Sequence, residues 1–118
     1  MKVVIVEDNP DNMKLCRTVL ASRGHLVTGL PGGASLVDVV REVAPDAILL
    51  DIQLPGEDGF ALLSRLKDSG LRLPPVIALT AHAMSGDRER ALGAGFDAYL
   101  TKPIDVATFA QTIEELAR

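Results

Sequence analysis

Four apolar runs in this chain lead directly into side chains that could do chemistry. KVVIV runs into Glu7-Asp8, AILL into Asp51, PVIALT closes on Thr80, and AYLT runs into Lys102-Pro103. If those runs are neighbouring strands, three carboxylates, one ammonium and one hydroxyl meet at one rim. Like charges about 4 Å apart repel by roughly 4 kcal/mol at an intermediate effective dielectric. Either one carboxylate takes a proton or a cation sits among them. A donor set made only of oxygens, with room for water, suits Mg²⁺. A metal beside a lysine makes a place for a phosphoryl group, with Asp51 as its candidate nucleophile. Such transfer needs mainly positioning and charge neutralisation. Lys102 would neutralise one phosphoryl oxygen and the Thr80 hydroxyl would donate to another.

Each residue also has a plainer reading. An aspartate behind a strand is most often a turn residue or a helix cap. Glu7-Asp8 alone reads as a solvated loop, Thr80 as structural and Lys-Pro as a loop. The set, at four strand ends, is what favours chemistry.

The elements that must position this set follow from the hydrophobic pattern. Five short runs, KVVIV (2–6), HLVTGL (25–30), AILL (47–50), PVIALT (75–80) and AYLT (98–101), are rich in Val, Ile and Leu and do not alternate cleanly. Strands buried on both faces look like this. Helical spacing fills the intervals. The first helix is predicted from an Asn9 cap and Pro10, with a Met13, Cys16, Leu20 stripe and Gly24 as its stop. The second is predicted over roughly 34–43, on Leu36, Val39, Val40 and Val43. The third is predicted after Asp58, with Phe60, Leu63 and Leu66. The fourth is the short polar segment 85–93, and the fifth carries Val106, Phe109, Ile113 and Leu116. Five βα units imply an α/β fold: a doubly wound, five-stranded parallel sheet in the flavodoxin-like order 2-1-3-4-5, with helices on both faces. Strands 1 and 3 then flank the switch point, beyond whose carboxyl ends ligands bind.

The totals narrow the partners. A chain of 118 residues reads as one domain, 1–118, and its charge of −4 does not favour nucleic acid or an anionic membrane. No window reads as a transmembrane span, and the apolar start runs into acid, unlike a signal peptide. One cysteine, Cys16, forms no internal disulfide and fits a reducing compartment, so a cytoplasmic location is expected. No repeat, linker or attached output module is evident.

These residues resemble a known family, the receiver domain of bacterial two-component response regulators. VVIVEDN, ILLDIQLPGEDGF, VIALTA and AYLTKPI carry the resemblance over nearly the whole chain. EDNPDNMKL, DIQLP, LTAHAMSGDRER and KPIDVATF also resemble the single-domain subgroup typified by DivK, wording shared with receivers attached to hybrid histidine kinases. The resemblance implies that Asp51 is the phosphoacceptor. It implies that Glu7, Asp8, Asp51 and the backbone carbonyl of Gln53 hold Mg²⁺, and that Lys102 pairs with the phosphoryl group before a cis Pro103. Thr80 becomes the switch hydroxyl and Tyr99 the switch aromatic. Gln53 and His82 occupy positions that tune phosphoryl lifetime in the family. The implied partners are a histidine kinase or histidine phosphotransferase and downstream proteins, met by a monomer. The chemistry is that of a phosphoacceptor with slow self-dephosphorylation rather than of a turnover enzyme.

Three residues are candidates for a partner surface. Leu15 lies at the margin of the first helix's core stripe, and Pro103 and Ile104 form an apolar pair behind Lys102. Met84 reads as a core filler or part of an output face, and His25 as the surface start of a strand. Other functions fit less well. A phosphatase or dehalogenase with an aspartate nucleophile resembles Asp-x-Asp, and Gln53 stands where the second acid is needed. A flavin carrier needs a phosphate-cradling loop after strand 1, where Glu7-Asp8 would repel phosphate. A constitutive binding module usually lacks part of the acid set or the lysine.

Overall fold

The computed structural model describes residues 1–81 and 86–118. The candidates His82 and Met84 lie outside the described residues. The chain runs β1 (Lys2–Val6), α1 (Pro10–Ser22), β2 (Leu26–Leu30), α2 (Leu36–Val43), β3 (Ala47–Asp51), β4 (Gln53–Leu54), β5 (Glu57–Asp58), α3 (Gly59–Asp68), β6 (Val76–Thr80), α4 (Asp87–Ala94), β7 (Ala98–Thr101) and α5 (Phe109–Leu116). The main sheet is parallel throughout, in the order β2-β1-β3-β6-β7. Counting only its five strands, this is the 2-1-3-4-5 order expected from the sequence. The two-residue strands β4 and β5 form a separate antiparallel hairpin, which the hydrophobic pattern did not announce.

Successive side chains of a strand leave on opposite faces, and here each face has its own apolar cluster. Val4, Val6, Ile48, Leu50 and Ala78 pack with Leu36, Val40, Leu63 and Leu66 of α2 and α3. Val3, Ile5, Leu49, Ile77 and Leu79 pack with Cys16, Leu20, Phe109 and Ile113 of α1 and α5. Burial on both sides explains why β1, β3 and β6 show no polar alternation.

Local signals set the helix starts. The Asn9 side chain accepts from the Asp11 and Asn12 amides, with Pro10 in the first turn, as a cap should. The Asp58 side chain accepts from the Phe60 amide and starts α3. Gly24, at φ +83°, follows the end of α1 in the left-handed region that glycine tolerates.

Three expectations need correction. Val106 was placed on the fifth helix's apolar stripe, but α5 begins at Phe109 and Val106 is exposed in the turn before it. Ile104 was a candidate surface residue, but it is buried in the cluster with Phe109 and Ile113. His25 was read as a surface residue, but only 11% of its side chain is exposed. Its Nε2 lies 2.6 Å from Glu114 of α5 and its Nδ1 lies 3.0 Å from the Met1 amino group.

Candidate functional site

The carboxyl ends of β1, β3, β6 and β7 bring Glu7, Asp8, Asp51, Thr80 and Lys102 to one rim. β1 and β3 pair in register up to Val6 and Leu50, so the next residues, Glu7 and Asp51, emerge side by side. β6 and β7 pair Thr80 with Thr101, and the Lys102 amide donates to the Thr80 carbonyl at 2.7 Å. That bond sets the direction from which the Lys102 side chain reaches across. The Lys102–Pro103 bond is cis, as the resemblance implied.

Lys102 Nζ donates to Glu7 Oε1 at 2.7 Å, Glu7 Oε2 at 2.9 Å and Asp51 Oδ2 at 2.7 Å. Glu7 and Asp51 are each only 2% exposed, and Thr80 is fully buried, whereas Asp8 is exposed. The second Asp51 oxygen, Oδ1, accepts from the Gln53 amide at 2.8 Å. One ammonium thus serves two buried carboxylates. Burial pushes the Glu7 carboxyl up to about 7, helped by its hydrogen bond and repulsion with Asp51 and only partly opposed by Lys102. Burial also pushes Asp51 up, but hydrogen bonds from Glu7, Lys102 and the Gln53 amide outweigh it and hold Asp51 below the usual carboxylate range. Of the two acids, Glu7 is the one pushed toward binding a proton and Asp51 the one pushed toward the ionised form.

Glu7, Asp8 and Asp51 each offer one carboxylate oxygen, all within 4.8 Å of one another. An oxygen-only set, in which one buried acid must hold a proton when no further cation is near, fits a hard divalent cation such as Mg²⁺. The Gln53 carbonyl lies on the loop that leaves Asp51 and would complete the set.

That loop is held closely. Ile52 donates to the Leu79 carbonyl at 3.0 Å, and Gly59 at the start of α3 packs under it. A Cβ on Gly59 would stand 2.4 Å from the Ile52 Cα, so only glycine permits this approach. Between them the β4–β5 hairpin turns at Pro55-Gly56, where Gly56 has φ +70°, the conformation a Pro-Gly turn requires.

The contacts of the Gln53 side chain are what the sequence reading did not give. Its Oε1 accepts from the Thr80 hydroxyl at 2.8 Å and from the Ala81 amide at 3.2 Å. Alternation along an extended chain puts residue 53 on the same side as Asp51, and that spacing was the available signal. Tyr99 packs against the α2–α3 side of the core, and its hydroxyl is buried with no hydrogen-bond partner among the described residues. Leu15 and Pro103 line one groove of about 450 Å³ with Glu7, Asn12 and Lys102. Two of the three candidate surface residues therefore adjoin the rim, and buried Ile104 does not.

A family model described as the response regulator receiver domain matches residues 3–114. The chain belongs to the response regulator receiver family. The receiver is 47% identical over 113 residues to the polar-differentiation response regulator DivK of Brucella anthropi, covering 95% of this chain and 92% of that protein. Among solved structures, the BeF3-activated N-terminal receiver domain of Klebsiella pneumoniae RstA superposes with a TM-score of 0.90 at 30% identity, covering 100% of this chain and 99% of that one. A response regulator receiver protein from Burkholderia phymatum gives 0.83 at 34% identity, covering 98% and 94%. These likenesses bear out the fold expected from the sequence and place the receiver in two-component signalling. No helix among its described residues is long and apolar enough to cross a membrane.

Proposed function

We propose that the receiver is a phosphorylation switch in which Asp51 accepts a phosphoryl group from a phosphohistidine of a histidine kinase or phosphotransferase. An Asp51 oxygen forms the new P–O bond, the P–N bond breaks, and imidazole leaves; water later hydrolyses the acyl phosphate. The observation that carries this reading is the pair of buried carboxylates, Glu7 and Asp51, bridged by Lys102 at the carboxyl edge of the sheet. Lys102 already donates to Asp51 and is placed to neutralise a phosphoryl oxygen there. Glu7, Asp8 and Asp51, with the Gln53 carbonyl, would hold Mg²⁺, which supplies further neutralisation of the transferring group. The receiver's own residues do the rest: the loop clamped over Gly59 fixes Asp51, and Thr80 supplies a hydroxyl to the phosphoryl group.

A phosphoryl group adds about −1.5 to −2 charge and strong acceptor oxygens. Thr80 moves toward them, and Tyr99, whose buried hydroxyl has no hydrogen-bond partner among the described residues, turns into the space released. The changed α4–β7–α5 face alters affinity for downstream proteins. Leu15 and Pro103, beside the rim, form part of the surface that meets the phosphoryl donor. The receiver acts in the cytoplasm as a monomer, and its chemistry is the same whether it works alone or joined to a histidine kinase.

Acetyl phosphate tests the reading. Intact mass should rise by one phosphoryl group with Mg²⁺, stay unchanged without it, and stay unchanged in Asp51→Asn. No gain with any phosphodonor would leave a constitutive binding module instead, and fast turnover of a small phosphate ester would point to a hydrolase.

A further inference from the structure

The hydroxyl that the proposed switch sends to a phosphoryl oxygen is already engaged. Thr80 Oγ1 donates to Gln53 Oε1 at 2.8 Å, and the same oxygen accepts the Ala81 amide at 3.2 Å. One amide oxygen thus spans the first step of the chain beyond β6 and holds both the side chain of Thr80 and the backbone that follows it. Gln53 is itself fixed from below, because its own amide donates to Asp51 and its strand pairs with Asp58. We propose that Gln53 is a positioning residue: its side chain is a latch that holds Thr80 in the resting arrangement and sets how readily the domain switches. This rests on the phosphorylation reading above and adds a regulator of that same site.

The chemistry defines how strong the latch is. The bond is neutral, so although Thr80 is buried its net contribution is modest. A phosphoryl oxygen is a charged acceptor and forms the stronger bond. The latch therefore yields to a phosphoryl group but resists thermal release in its absence. A ligand that binds the switched state loses affinity in proportion to the population the latch withholds. A neutral hydrogen bond corresponds to about a three- to tenfold effect.

Gln53→Met tests this, because methionine has nearly the same length, carries no strong acceptor and leaves the backbone carbonyl in place. The probe is beryllium trifluoride at saturating Mg²⁺, titrated into the full chain and followed by backbone amide resonances. At saturating Mg²⁺, Gln53→Met should bind the probe about three- to tenfold more tightly than the parent. In a Thr80→Val background the same substitution should have a clearly smaller effect, since only the Ala81 amide remains to be held. Equal affinity in parent and Gln53→Met, or an equal gain in both backgrounds, would overturn the latch and leave the phosphorylation reading standing. A parent that binds no probe and takes up no phosphoryl group would overturn both.

Discussion

Opposite ends of the sheet both carry ion pairs, and they are built with opposite stoichiometry. At the amino end, Glu114 of α5 receives Arg23 and His25, so one acid has two basic neighbours. The hydrogen bond from Arg23, then that of His25, holds its carboxyl down at about 2. At the carboxyl end, one lysine serves Glu7 and Asp51 while Asp8 stands nearby. There burial leaves Glu7 at about 7. Acidic and basic side chains give a satisfied clasp at one end and an excess of acids over bases at the other. The first joins α5 to the start of β2. The second is a place where an added cation or an added anion changes the balance, which is what a switch requires.

The sharpest way to break this contrast is to remove its lysine. Lys102→Ala leaves two buried carboxylates facing each other, and breaking such a pair costs about 3 kcal/mol or more. The urea midpoint of the metal-free protein should fall strongly near neutral pH, and Mg²⁺ or acid should restore part of it. Phosphoryl uptake from acetyl phosphate should also fall well below the parent's.

Next in size is the pH dependence of the parent. Glu7 is raised in the folded state from 4.5 to about 7, so the fold binds its proton more tightly than the unfolded chain does. Its contribution is fully present below pH 4.5 and is lost as pH rises toward 7. The full loss is on the order of 3 kcal/mol. The depressed Asp51 acts in a separate window, below its ordinary 3.8. Urea denaturation of metal-free protein between pH 5 and 8 should show stability falling with pH, and Glu7→Gln or added Mg²⁺ should flatten that slope. The smallest effect belongs to the amino end. Glu114→Gln should lower the midpoint slightly, by less than Lys102→Ala, and Mg²⁺ should not change that loss. A Glu114 effect as large as that of Lys102, or as sensitive to Mg²⁺, would erase the distinction.

Sequence reasoning reached the carboxyl end because each of its residues follows a run of Val, Ile and Leu. The βα alternation orders those runs, and the strand ends then coincide. Asp51, Glu7, Asp8, Thr80 and Lys102 were all legible in that way. The amino-end clasp was not. Nothing near His25 hints at Glu114, which joins it only after α5 has folded back along the sheet. The β4–β5 hairpin escaped because two-residue strands are shorter than any periodic signal. Ile104 and Val106 were misplaced for a related reason. An apolar residue in an irregular turn has no spacing to say which way it faces, and here the turn sends Ile104 in and Val106 out. The Gln53 contact escaped because the spacing from Asp51 puts residue 53 on the same side but does not say that its side chain reaches Thr80.

The glycine beneath the Asp51 loop has a consequence for how this protein can change over generations. Position 59 touches no charged group of the rim and lies outside its chemistry, yet any side chain there would collide with the backbone of Ile52. Exposed residues on α1 or α4 meet no such steric limit. A single hydrogen atom at the foot of α3 thus decides whether the Asp51 loop can keep its course.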